Sequence, residues 1–173
     1  MHEPELLLET PRFRVLRHWY RTSDGASHSR ETVVHPGAVT IVPLLGADRV
    51  CLIRNFRPSV GRTLVELPAG TLEPAEDPAA AAHRELREET GYHAGTIELL
   101  TSFYMSPGIL SERMFVFLAT DLAGGPARLE SGEQIEPLIV AWPEAVAMAL
   151  DGRIEDAKTL AALLWIERKR RST

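Results

Sequence analysis

The chain has 173 residues, 45 % of them hydrophobic and 25 % charged, with a formal net charge of −5. This length fits a single domain with a small appendage and a sizeable core, and the acidic balance opposes bulk nucleic-acid binding, which needs a basic footprint. A single cysteine, Cys51, excludes an intrachain disulfide, and no run approaches the ~18 apolar residues of a membrane-spanning helix. The start, Met1-His2-Glu3-Pro4-Glu5, lacks the basic and apolar regions of a secretory signal. A cytoplasmic, reducing location is therefore expected.

Residues 5–36 read as a separate small β unit. Residues 12–20 have the partial alternation and aromatic content of a strand. Residues 22–27 have turn composition, and Arg30-Glu31-Thr32-Val33-Val34 is the return strand of a hairpin. A lone hairpin is marginal in water, so this unit should pack on the main domain or on a second subunit. Trp19 reads as a packed aromatic in preference to a base-stacking one. His35-Pro36-Gly37 marks a boundary and divides the chain into an N-terminal unit, 1–36, and a main domain, 37–173.

In the main domain, residues 38–45 and 50–54 are apolar enough to be buried strands, joined by Gly46-Ala47-Asp48. Cys51 lies in the second and is expected in the core. Residues 63–69 form a further strand. Residues 96–100, 113–119 and 137–142 are strand-like, with Gly124-Gly125-Pro126 as a break. Pro143-Glu144 opens a helix ending near Gly152. A last helix runs from Asp156 to about Lys169, with Ala157, Leu160, Ala161 and Leu164 at core spacing. Its basic end suits the helix dipole. Strands mixed with two or three helices indicate a layered α/β or α+β domain.

The most informative stretch is 70–92, a glycine-led loop that becomes a helix. Asp77 can cap the first-turn amides, Pro78 suits the first helical position, and Gly91 can end the helix in a left-handed conformation. Turning the helix by about 100° per residue sets Ala79, Ala82 and Leu86 on one apolar face. Glu85 and Glu89 lie four apart beside that face, with Glu88 next to them. Like charges at these spacings repel, and a divalent cation with a taste for carboxylate oxygens, such as Mg²⁺, relieves the repulsion. Arg84, four residues before Glu88, can hold that carboxylate in place.

The whole pattern is Gly70, five residues, Glu76, seven residues, then Arg84-Glu85-Leu86-Arg87-Glu88-Glu89-Thr90-Gly91-Tyr92. It resembles the signature of the Nudix hydrolases at every specified position. The resemblance covers residues 38–165. It implies an α+β Nudix fold, a mixed β-sheet sandwiched between helices, here with an N-terminal β-hairpin unit. It implies Glu85, Glu89 and the carbonyl of Ala69 as metal ligands, with Mg²⁺ as the ion and Mn²⁺ as a substitute. Glu88 and Arg84 belong to the same constellation, and Glu73 and Glu76 serve through water or by shaping the loop.

A narrower resemblance is to the ADP-ribose pyrophosphatase branch. Glu66-Leu67-Pro68-Ala69-Gly70 looks like that branch's entry, and Pro107 stands sixteen residues after Gly91, where the branch has its marker proline. The loop Ser106-Pro107-Gly108-Ile109-Leu110-Ser111-Glu112 resembles the branch's loop ending in Glu, which implies Glu112 as a base or an extra acid. Arg57 matches an arginine that reaches the diphosphate, and Arg30 and Glu31 are candidates for adenosine contacts across a homodimer. Two features depart from the pattern. Ile109-Leu110 is unusually apolar, and Glu133-Gln134-Ile135-Glu136-Pro137 has Gln134 where an acid is frequent, leaving Glu133 and Glu136 as competing acids.

The implied activity is hydrolysis of a nucleoside diphosphate derivative, ADP-ribose first, then GDP-mannose or another nucleotide sugar, FAD or NADH. A non-catalytic nucleotide sensor is the alternative of another class; the intact set of acids opposes it. A nucleic-acid enzyme is opposed by the acidic charge balance.

Overall fold

The computed structural model describes residues 3–129 and 132–172. Met1 and His2, part of the segment read for a secretory signal, lie outside them. Strands β1 (Glu5–Glu9), β2 (Arg14–Arg21) and β3 (Ser27–Val34) form an antiparallel sheet in the order β1-β2-β3. The hairpin is as expected, with Thr22 N–H donating to Ala26 O at 3.0 Å across the turn. Strand β1 is additional. Glu5-Leu6-Leu7-Leu8-Glu9 carries no alternation, and its pairing is broken by a register shift between Leu6 and Leu8. Trp19, expected to be packed, is 41 % exposed on β2.

The second sheet comprises β4 (Ala38–Leu45), β5 (Arg49–Arg57), β6 (Arg62–Glu66), β7 (Ala69–Thr71), β8 (Tyr92–Tyr104), β9 (Arg113–Gly124) and β10 (Ile135–Ala141). Its order is β10-β5-β4-β9-β8, with β6 on β5 and β7 on β4. Strand β4 runs parallel to β9 and antiparallel to β5 and β7, so the sheet is mixed. Pro137 lies in β10 without disrupting it, because β10 is an edge strand and one face of its ladder needs no donor.

Alternation along β4 builds the layers. Val39 and Ile41 pack with Ala81, Ala82 and Leu86 of helix α1 (Pro78–Thr90). Val42 and Leu44 join the cluster of Trp142 and Ala145 on α2 (Trp142–Leu150) and Leu163 and Ile166 on α3 (Ala157–Arg170). Neighbouring strand residues point to opposite faces, and both faces are covered, which is why β4 reads as a continuous apolar run. Cys51 is fully buried, and burial pushes its thiol up to about 12, so it is an inert core residue.

Two expectations need correction. The strand expected over 63–69 is split at Leu67-Pro68, where the chain crosses from β5 to β4. Pro68 cannot donate to a ladder; its carbonyl instead accepts from Ile41 N–H at 2.9 Å and from the Thr40 hydroxyl at 3.2 Å. On α3, Ala157, Ala161 and Leu164 are exposed, and Thr159, Ala162, Leu163 and Ile166 face the core. The period is helical in both sets. Asp156 fixes the phase by accepting from Thr159 N–H at 3.0 Å, and small alanines on both sides left that phase undetermined in the sequence.

Helix α1 begins and ends as its sequence demands. Asp77 accepts from Ala79 N–H at 2.9 Å and Ala80 N–H at 3.3 Å, and Gly91 has φ 75° with its N–H on Arg87 O at 2.9 Å. A Cβ added at Gly91 would stand 2.2 Å from Gly125 O, a backbone atom. Gly91→Ala is therefore expected to destabilise the fold by more than about 1 kcal/mol in urea unfolding; unchanged stability would contradict this packing.

Candidate active site

Strand β7 delivers the chain to the N-terminal side of α1, and the two elements meet through carboxylates. Glu89 accepts from Ala69 N–H at 2.8 Å. The Glu85 carboxyl lies against Gly70, where an added Cβ would stand 1.8 Å from Oε1. A side chain at this position would displace the Glu85 carboxyl from its place. Arg84 organises the acids around it. Its Nε and Nη2 donate to the two oxygens of Glu76, both at 2.9 Å, its Nη1 donates to Glu85 at 2.6 Å and Glu88 at 3.2 Å, and its Nη2 also reaches Thr71 O at 3.2 Å. Glu73 is exposed, and its N–H donates to Glu76 Oε2 at 2.9 Å, which closes the loop.

These carboxylates are electrostatically strained. Burial raises the Glu85 pKa to about 7, aided by Glu88 and Glu133 and opposed by Arg84. Burial also raises Glu89 well above the usual carboxylate range; the Ala69 amide opposes it, and Glu85 and Glu133 add to it. Glu133 therefore acts on both buried acids, whereas Glu136 faces Arg54 at 3.9 Å and is largely exposed. Of the two acids left open by the sequence, Glu133 is the one turned toward the site.

A cleft of about 360 Å³ opens beside Ala69 and Gly70. Arg57, Glu66 and Glu112 line it, together with Asp156 and Lys158 from the start of α3. Glu66 is only 1 % exposed. Burial alone would raise its pKa, but Arg57 and Lys158 outweigh that and hold it below the usual range. Arg57 donates twice to it, through Nε at 2.8 Å and Nη2 at 2.6 Å, and Lys158 Nζ once at 2.5 Å. Lys158 was not legible from the core spacing and basic end of α3; a lysine two residues after the capping Asp156 was the available signal.

Pro107 belongs to the turn that carries Glu112 to the cleft, with Ile109 N–H and Leu110 N–H both donating to Ser106 O. Arg30 and Glu31 are not brought to the cleft in the single chain. Both are exposed on β3, and Glu31 is paired with Arg17 at 2.8 Å.

The model of the NUDIX domain matches residues 34–163, and the chain belongs to this family of enzymes. Among curated relatives, the chain is 37 % identical over 148 residues to the ADP-ribose pyrophosphatase of Bacillus subtilis, covering 84 % of this chain and 80 % of the relative. It is 41 % identical over 156 residues to the GDP-mannose pyrophosphatase of Pectobacterium atrosepticum, covering 87 % and 76 %. In fold it is similar to a crystal structure of an ADP compounds hydrolase, with a TM-score of 0.84 over 99 % of this chain and 96 % of that one, at 23 % identity.

The donor set fits a hard divalent cation. Two buried carboxyls are crowded together, and desolvation penalises their charge; a bound cation removes that penalty. Among the described residues no three such side chains converge into a finished cage.

A carboxyl whose folded pKa exceeds its unfolded value binds more protons when folded, so stability falls as pH rises between the two values. For Glu85 the window runs from the ordinary glutamate value of about 4.5 to about 7, and Glu89 extends the loss to higher pH. Metal-free protein should lose thermal stability from pH 5 to pH 8, and Glu85→Gln should flatten that slope. A wild-type slope identical to that of Glu85→Gln would rule out this electrostatic reading.

Proposed function

We propose that this chain hydrolyses ADP-ribose to AMP and ribose 5-phosphate, with Mg²⁺ as its cofactor and Mn²⁺ as a substitute. The observation that carries this reading is the cleft in which Arg57, Ala69, Gly70 and Glu112 converge beside the buried acids of α1. Glu85, Glu89 and the Ala69 carbonyl would hold the cation. When bound, such an ion neutralises diphosphate charge and acidifies a water molecule.

The chain's own residues have separate tasks. Arg57, held by Glu66 through two donors, binds a phosphate oxygen with the protons those bonds leave. Glu112 accepts the proton of the attacking water or orients it. Glu133, whose charge acts on Glu85 and Glu89, is the second acid at hand. Arg84 fixes the carboxylates of Glu76, Glu85 and Glu88, and so keeps the helix acids in register. Glu73 stays on the loop, where it would act through water.

The reading extends to a cytoplasmic homodimer. Leu6, Leu8, Trp19 and Tyr20 expose apolar surface on the N-terminal sheet, and surface of this kind supports pairing with a second copy. In such a pair Arg30 and Glu31 would contact substrate bound to the partner. No described helix is long and apolar enough to cross a membrane. A second reading, with GDP-mannose as substrate and unchanged chemistry, is favoured by the similarity to the GDP-mannose pyrophosphatase.

Product analysis over ADP-ribose, GDP-mannose, FAD and NADH, with and without Mg²⁺, tests the reading. The expected result is Mg²⁺-dependent release of AMP and ribose 5-phosphate, fastest from ADP-ribose; no turnover of any member would overturn it. Glu89→Gln and Glu85→Gln should each lower kcat by about 10² or more, in line with loss of a group that stabilises transition-state charge, while the metal-free proteins stay folded. Near-normal turnover by Glu89→Gln would remove it from the metal site.

A further inference from the structure

The loop that carries Glu112 is held from outside the main domain. Strand β3 is the edge of the N-terminal sheet, since the order is β1-β2-β3. An edge strand presents unpaired donors and acceptors, and near the end of β3 these are taken up by the loop. Val33 N–H donates to Ile109 O at 2.8 Å, and Ser111 N–H donates to Val33 O at 2.9 Å, so Val33 and Leu110 form a parallel bridge. One step further, His35 N–H donates to the Ser111 hydroxyl at 3.0 Å. The His35 ring is fixed in turn by Gly37 N–H, which donates to Nδ1 at 3.2 Å, and this edge of the ring lies 3.9 Å from Glu112 Oε1. At the loop's base Met105 N–H donates to Glu112 O at 3.2 Å.

These contacts fall on Ile109, on Ser111 and on Glu112 itself. The loop's own hydrogen bonds, from Ile109 and Leu110 to Ser106 O and from Met105 N–H to Glu112 O, close its tip and its base but do not reach Ser111 in between. The stem is fixed by β3. A carboxylate that must meet a water within hydrogen-bond reach depends on placement of this kind, because a displacement of about 1 Å in an active site can reduce rate about 10²-fold.

We propose that the β3 end, through Val33, and the Ser111 hydroxyl are positioning elements for Glu112, so that the N-terminal sheet sets the turnover rate in addition to any role between subunits. Neither Ser111 nor Val33 lines the cleft; they act through Glu112. This inference rests on the hydrolase reading above.

The test uses the full chain with Val33→Pro, Ser111→Ala and the conservative Ser111→Thr. Proline at Val33 removes the N–H that reaches Ile109 and is tolerated at a sheet edge. Below the melting temperature, Val33→Pro and Ser111→Ala should lower kcat about tenfold, within the range set by a misplaced base, and KM should change by less than about twofold, because the cleft residues that bind phosphate are untouched. Ser111→Thr should restore most of kcat. Amide hydrogen exchange gives a readout that needs no activity. In Val33→Pro, residues 105–112 should lose protection while α1 keeps it. Normal kcat in both variants, or a fall in KM-limited binding alone, would overturn the proposal. Unchanged protection of 105–112 would overturn it as well, even if wild-type protein hydrolysed no member of the substrate panel; absence of turnover by itself would overturn only the hydrolase reading.

Discussion

The structure turns on the contact between Ala69-Gly70, at the start of β7, and the carboxyls of Glu85 and Glu89. These groups would be far more stable in water. Burial raises both, with Glu88 and Glu133 adding to it at Glu85 and Glu85 and Glu133 adding to it at Glu89. The surrounding fold accepts this strain and holds it in place. The Ala69 amide fixes Glu89, the missing Cβ of Gly70 makes room for Glu85, and Arg84 ties Glu85 to Glu76 and Glu88. Strain concentrated at a cleft, with a stated physical cause, is the mark of a site built to receive charge.

The remaining architecture brings other residues to that contact. Strand β4 places β7 beside α1 and, through its two faces, fixes α1 on one side and α2 and α3 on the other. The α3 cap adds a buried ion network: Lys158 bridges Asp156 and Glu66, and Glu66 holds Arg57 at the cleft. The Asp156 carboxylate also accepts from the Thr159 hydroxyl, which itself accepts from Leu67 N–H at 2.8 Å. Helix α3 thus supports the segment that leads to Ala69. Breaking such a network is costlier than its net stabilisation suggests, since one partner is left charged and buried.

How far the sequence could be read depends on how local each feature is. The α1 boundaries were fixed by Asp77, Pro78 and Gly91, which act within one turn of themselves, and the signature acids lie on one helix. The phase of α3 was not local. Alanines and leucines occur all round its surface, and only the packing of Thr159 and Lys158 against β6 and the 67–69 segment decides it. Strand β1 was hidden because three successive leucines carry no alternation. The exposure of Trp19 depends on what covers the N-terminal sheet, which no pattern within the strand encodes. The roles of Glu133 and Glu136 were inseparable in sequence, because three residues apart in a loop says nothing about direction; in the fold one acts on the helix acids and the other pairs outward with Arg54.

The central claim is that buried acids on α1 carry protons in the metal-free protein and surrender them to a divalent cation. Calorimetric titration of Mg²⁺ into metal-free protein near pH 6.5, in two buffers of different ionisation enthalpy, measures those protons directly. The account predicts proton release on binding, diminishing as pH rises past about 7 and reduced in Glu85→Gln. Binding with no proton release at any pH, or the same release in Glu85→Gln as in wild type, would contradict it.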